Sequence, residues 1–301
     1  MAAPLRVGIT GSSGLIGTAL TAALIDGGHV VVPIVRRAAK QGEIGWDPAA
    51  GRLDPSDVAD LDAVVNLAGV GIGDHRWTDE YRALIRSSRV DSTETLVRAY
   101  HELGSDAPKA LVSASAIGYY GDRGDETLTE SSAAGDGFLP SVCSEWEQAA
   151  SGASDVTRVA MIRTGVVLTP DGGALAKMLP LFKLGLGGRF GSGAQWWSWI
   201  SLTDEVRAIV HALTNDVEGP LNLTAPTPTT NREFTDVLGD VLGRPTFLPV
   251  PAFGPKLVVG ADVAQALLFD SARVLPAALA DHGFEFEHPG LDAALRAELG
   301  R

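Results

Sequence analysis

The sequence is short of cysteine, positive charge, grouped histidines and long apolar runs, and each shortage closes off a class of protein. Cys143 is the only cysteine in 301 residues. No intrachain disulfide can form, and a reducing compartment is the simpler assumption. Acidic residues outnumber basic ones by 37 to 24, for a formal charge of −13. A surface that negative repels a polyanion, which argues against nucleic acid as a partner. The histidines (His29, His75, His101, His211, His282 and His288) are scattered without metal-ligand spacing. That scatter leaves Cys143 with no histidine near it in sequence, so the thiol reads as a buried, inert small residue. The longest apolar stretch, Lys256 to Phe269, is broken by Gly260 and Asp262, whereas a bilayer span needs about 20 apolar residues. No basic-then-apolar leader follows Met1, so a soluble cytoplasmic protein is expected, with no membrane partner.

Glycine is plentiful, at 35 residues, and its clustering matters more than its count. Leu5–Thr10 reads as a short buried strand, and Leu15–Ile25 carries apolar residues at helical spacing up to the stop at Gly27-Gly28. His29–Val35 is a second β-branched run, which completes one βαβ unit. The alternation continues with a strand over Asp62–Gly69, a long helix over Asp79–Leu103 and a strand over Lys109–Ala114. A helix over Phe138–Ala150 and a strand over Thr157–Arg163 follow. Strands spaced by helices must pair in parallel, so the fold class is α/β with a doubly wound parallel sheet. Residues 170–199 are rich in glycine and aromatics, and helices return over Asp204–Leu213, Arg232–Leu242 and Leu291–Leu299. The expected division is a dinucleotide-binding part at 1–165, with a strand and helix returning near 200–225. A mixed substrate-side region at 166–248 and a small helical appendage at 249–301 complete it.

The turn Gly11-Ser12-Ser13-Gly14-Leu15-Ile16-Gly17 ends the first strand and opens the first helix. Gly11 permits the tight turn, Gly14 permits close backbone approach to a pyrophosphate, and Gly17 permits close helix packing. The free N–H groups and positive end of the helix then suit phosphate groups. The competing reading is a tight strand–helix turn with no ligand, and the strand and helix on either side favour the binding one. Val35 and Arg36, with Arg37, end the second strand, where an NAD-binding protein usually carries an acid. No Asp or Glu lies between Asp26 and Glu43. An arginine there suits a ribose 2′-phosphate, so NADP is expected over NAD.

These residues resemble a known family. The glycine spacing and Asn66-Leu67-Ala68-Gly69 resemble the extended short-chain dehydrogenase/reductases. More narrowly, the chain resembles their atypical "epimerase family protein" branch. That likeness rests on Trp46-Asp47-Pro48, Arg76-Trp77, Ser88-Arg89, Ser115-Ala-Ile-Gly-Tyr-Tyr-Gly121 and Trp146-Glu147. Arg163-Thr-Gly-Val-Val-Leu168, Leu184-Gly-Leu-Gly-Gly188, Gly191-Ser-Gly193 and Trp199-Ile200 extend it over essentially the whole chain. The resemblance implies that Leu67, Ala68 and Gly69 line the adenosine side of the cofactor and that Val166 lies against the nicotinamide. It also places Arg89 in reach of the phosphates or ribose, with a helix-surface salt bridge as the alternative.

Such enzymes use a Tyr-x-x-x-Lys pair, in which the lysine lowers the tyrosine pKa, and a serine that holds the substrate oxygen. Aligned on Glu147, the lysine position holds Cys143 and the tyrosine position holds Leu139. The candidate substitutes are Ser115 for the substrate oxygen and Tyr119 or Tyr120 for the proton, unless both rings only pack under their loop. Leu184–Trp199 offers an aromatic wall with Arg189 or Lys183 for an anionic group, or else a core-packing loop. Two functions remain open. One is an NADP(H)-dependent oxidoreductase or epimerase-like enzyme acting on a small polar or sugar-derived molecule. The other is a catalytically weak NADP(H)-binding sensor or interaction protein.

Overall fold

A computed structural model describes residues 3–301 of the chain. Strands and helices alternate through β1 (Arg6–Thr10), α1 (Leu15–Asp26), β2 (Val30–Val35), β3 (Ile44–Gly45) and β4 (Ala63–Asn66). They continue through α2 (Asp79–Leu103), β5 (Ala110–Ala116), β6 (Thr127–Leu128), α3 (Phe138–Ser151) and β7 (Arg158–Thr164). Next come β8 (Val166–Leu168), α4 (Gly173–Lys183), β9 (Trp196–Trp197), β10 (Trp199–Ser201) and α5 (Leu202–Thr214). After these lie β11 (Gly219–Leu223), β12 (Thr229–Thr230) and α6 (Asn231–Leu242). The tail adds α7 (Phe253–Val259), α8 (Ala261–Ala264), β13 (Arg273–Val274), α9 (Ala277–Asp281) and α10 (Leu291–Leu299).

Seven strands pair in parallel in the order β11-β7-β5-β4-β1-β2-β3, the doubly wound sheet expected from the alternation. The order runs outward from β1 in both directions, so a crevice opens where β1 and β4 end. Their last residues, Thr10 and Asn66, are register partners. The strands are apolar on both faces because both are covered. Val7, Ile9, Val65, Val112 and Ile162 pack on one side with Leu20 of α1 and Ile209 of α5. Val64, Leu111 and Val159 pack on the other with Leu96 and Tyr100 of α2 and Ala150 of α3.

Inside the glycine-rich segment the sequence hid a helix. α4 buries Leu175, Met178, Leu179 and Phe182 at helical spacing, although Pro180 lies within it and glycines flank it. The start of α5 also differs from expectation. Ser201 is its cap and accepts from the Asp204 N–H, so the helix begins at Leu202 rather than Asp204. Asp204 instead accepts the N–H groups of Glu287 and His288, each at 2.8 Å, which ties down the tail. Leu291, Ala294 and Leu295 of α10 share a core with Trp197, Trp199 and Phe234. Burying a leucine contributes about 1.5–3 kcal/mol, enough to hold a helix of this length in place.

Candidate functional site

A cavity of about 660 Å³ runs from the crevice above β1 and β4 to the tail. At its inner end is the glycine turn. Gly11 has φ +65°, and a Cβ there would lie 2.7 Å from the Leu67 carbonyl oxygen. A Cβ on Gly17 would lie 2.2 Å from the Gly11 carbonyl oxygen, so α1 packs directly onto the turn that precedes it. Gly14 caps α1 with no side-chain hydrogen bond, which leaves the first amides of the helix open to an anion.

The next wall is set by Thr10. Its hydroxyl donates to Asn66 Oδ1 at 2.7 Å and accepts the N–H groups of Leu67 and Ala68 at 3.0 and 3.1 Å. Asn66 donates to Thr93 of α2, and the Trp146 indole of α3 donates to the same hydroxyl. These buried bonds fix the Leu67-Ala68-Gly69 loop. Arg89 lies across Gly69, donating to the Val70 and Ile85 carbonyls at 3.0 Å each, with its guanidinium 5.2 Å from the centre of the Trp146 ring. Burial lowers its pKa from the usual arginine value, yet a guanidinium stays charged. The salt-bridge alternative is not realised: Arg89 has no carboxylate partner among the described residues.

Of the sequence-derived cofactor residues, Gly11, Gly14, Leu15, Ile16, Gly17, Leu67, Gly69, Arg89 and Val166 line the cavity. Ser12, Ser13 and Ala68 complete the backbone between them, while Val35 ends the neighbouring β2 and Arg36 follows it. Arg36 and Arg37 are separated by their partners. Arg37 donates to both oxygens of Glu43 at 2.6 Å, and that contact, followed by the Lys40 N–H, holds the Glu43 carboxyl down to about 2. Arg36 is exposed and has no acidic partner among the described residues.

The catalytic candidates divide. Ser115 lies on β5 itself and not beyond its expected end at Ala114, because the strand runs to Ala116. Ser115 lines the cavity and donates to Glu147 Oε1 at 2.7 Å. Glu147, in turn, takes two 2.7 Å hydrogen bonds from Arg163, and both side chains are buried. Arg163 also donates to the Tyr120 hydroxyl at 2.8 Å.

Tyr120 therefore cannot serve as the proton source proposed for it. It is fully buried, its hydroxyl is shared with Arg163, Asn222 and Thr129, and burial pushes its pKa up to about 12. Tyr119 is also off the cavity wall, its ring packed under the Arg163 guanidinium at 3.6 Å and edge-on to Tyr120. Both rings do what the packing alternative describes. Cys143 and Leu139 do line the cavity, and burial first, then the Glu147 charge, pushes the thiol up to about 12.

Among the described residues lining the cavity there is no tyrosine, lysine or histidine. The sequence reading missed Asp270, which stands on the wall with its pKa raised by burial and the Asp122 charge, against a hydrogen bond from Gln265. It also used Glu147 only as a landmark. The register pairing of Ser115 with Arg163 across β5 and β7 brings that polar network together.

The profile of the NAD dependent epimerase/dehydratase family matches residues 7–223. The chain belongs to that family. A domain of unknown function, DUF1731, matches residues 250–298. An epimerase family protein of Mycobacterium bovis, Mb2239, is 46% identical, with 96% of each chain covered. The crystal structure of human epimerase family protein SDR39U1 with NADPH superposes at a TM-score of 0.90 with 36% identity, covering 98% of this chain and 99% of that one. A nucleoside-diphosphate sugar epimerase from Corynebacterium glutamicum is 40% identical at a TM-score of 0.80, covering 99% of this chain and 59% of its own. The resemblance to the epimerase branch of the extended short-chain dehydrogenase/reductases thus holds over the whole fold. Among the described residues, no helix is long and apolar enough to cross a membrane.

Proposed function

We propose that this family member binds NADP(H) and acts as an oxidoreductase on a small molecule. One observation carries the cofactor choice: Arg36 is free at the end of β2 while Arg37 is spent on Glu43. The residues fit the dinucleotide. Uncapped amides at the start of α1 face its diphosphate, Arg36 its 2′-phosphate, and Arg89 supplies a buried cation without a carboxylate. The human relative crystallised with NADPH supports the same reading.

When bound, NADPH supplies a hydride at the nicotinamide. Gly165 and Val166 would wall the ring, and Leu139 and Cys143 would keep water from it. Ser115 would hold the substrate oxygen, itself positioned by Glu147 and Arg163. With apolar residues where the tyrosine and lysine would stand, proton exchange is left to other groups, and turnover is slow. That same substitution favours a second reading, a cofactor-binding sensor with little catalysis.

Calorimetric titration with NADP+ and NAD+ tests the first step, and equal affinity for both, unchanged in Arg36→Ala, removes it. Absorbance at 340 nm across a panel of carbonyls and alcohols then separates the two readings. Tight binding with no change in absorbance favours the sensor.

A further inference from the structure

The tail end of the cavity is walled by Ile72, Trp77, Phe138, Leu139, Trp196 and Leu267. All six are half-buried, and they come from four segments of the chain. Trp77 and Phe138 meet edge-to-face with centroids 5.1 Å apart. The indole N–H groups are already used, Trp77 on the Ile72 carbonyl and Trp196 on Asp125. This end of the cavity therefore offers ring faces and aliphatic groups with few free donors.

Charge sharpens the point. Among the described lining residues the only cation is Arg89, at the cofactor end, while Asp136 and Asp270 are acids. Arg189 and Lys183, expected from the sequence to receive an anionic group, do not line the cavity. Arg82 and Arg273 stack on Trp77 and Trp196 at 5.3 and 4.5 Å without lining it, and Arg82 is paired with Asp262. A sugar nucleotide would bring a second diphosphate to this end of a half-open cavity, where among the described residues no cation lines the wall and Asp136 and Asp270 do. Partly burying a diphosphate beside carboxylates, with no cation on the wall, is unfavourable.

We infer that the ligand of this cavity is an uncharged, flat, apolar ring compound carrying one carbonyl or hydroxyl oxygen, and not a sugar nucleotide. Ser115 supplies the polar contact for that oxygen, and the six apolar residues sandwich the ring. The inference builds on the oxidoreductase reading, which needs a carbonyl or alcohol at the nicotinamide, but the wall chemistry can be tested without turnover.

Ligand-observed saturation-transfer NMR on the full chain, with and without NADP+, uses 2-acetonaphthone, 1-(2-naphthyl)ethanol and UDP-glucose as probes. The naphthyl compounds are expected to bind, and millimolar UDP-glucose should not displace them. Phe138→Ala and Leu267→Ala should each weaken naphthyl binding roughly tenfold while NADP+ affinity stays within about twofold, which also shows that each variant is folded. Displacement by UDP-glucose, absent naphthyl binding, or naphthyl binding indifferent to both substitutions overturns the inference. A missing NADP+ signal beside intact naphthyl binding sinks the oxidoreductase reading alone.

Discussion

Replacing Glu205 with glutamine removes a carboxyl that the fold holds neutral. Glu205 lies in the first turn of α5, fully buried, where Thr164 Oγ1 donates to one oxygen at 2.8 Å and the other has no partner. Burial pushes its pKa from the ordinary 4.5 up to about 8, with the Thr164 hydrogen bond opposing. Between those values the unfolded chain has released this proton and the folded chain has kept it. Stability therefore falls as pH rises from 4.5 to about 8. At 1.36 kcal/mol per unit the loss is up to roughly 5 kcal/mol, an upper bound because the positive end of α5 favours the anion.

Glu205→Gln keeps the shape and the Thr164 contact without the titration. Unfolding entropy of about 2.1 cal/mol/K per residue implies, for a chain this long, about 1.6 °C of Tm per kcal/mol. Relative to the variant, the wild-type Tm should drop by up to roughly 8 °C between about pH 5 and 8.5. Scanning calorimetry of both proteins in matched buffers reads the difference directly. A gap between the two that stays flat across that range, or moves in favour of the wild type as pH rises, refutes the reasoning.

Arg36→Ala should weaken NADP+ binding by about 10–100-fold, the worth of a charge-assisted contact. It should leave NAD+ affinity unchanged, and Arg37→Ala should have the smaller effect, all by calorimetry. Gly17→Ala forces a methyl group to within 2.2 Å of the Gly11 carbonyl. NADPH fluorescence titration should find binding lost while circular dichroism still reports a folded chain. Glu147→Leu strands the buried Arg163 charge and should cost about 3–5 kcal/mol in urea unfolding; a loss below about 1 kcal/mol would mean the pair is not buried as described. On the oxidoreductase reading, Asp270→Asn should lower kcat by roughly 100-fold with NADP+ affinity intact, and an unchanged kcat removes Asp270 from the reaction.

What could be read from the sequence was chemistry written in the backbone. Gly11 and Gly17 announce a turn because no other residue tolerates their geometry, and apolar runs announce strands covered on both faces. α4 was hidden because Pro180 and its glycine neighbours carry the local signal of a loop, and only burial of Leu175, Leu179 and Phe182 makes the helix. Arg36 and Arg37 are equivalent as letters. Their roles part only when the chain folds Glu43 back onto the second of them. Tyr119 and Tyr120 are equally ambiguous, since which of two adjacent rings turns inward depends on Thr129 and on Asn222 and Arg163, the last two distant in sequence.

The departure from the Tyr-x-x-x-Lys pattern does not leave the site without polar groups, because they lie one layer deeper. Glu147 and Arg163 cancel each other's charge beneath the wall, and Ser115 alone connects them to the cavity. Its proton goes to Glu147, so its oxygen accepts from a ligand hydroxyl, and turning that proton outward, with Glu147 still held by Arg163, would serve a ligand carbonyl. Passing that proton into Glu147 would neutralise half of a buried ion pair and leave Arg163 without its counter-charge, a costly state. The network is built to orient an oxygen and not to exchange its proton. On the oxidoreductase reading, that leaves the exchange to a titrating group on the wall that can reach water. Cys143 is too buried for it. Asp270, partly buried and with its pKa raised, is the side chain whose protonation the fold favours, and Asp270→Asn therefore bears on turnover and not on cofactor affinity.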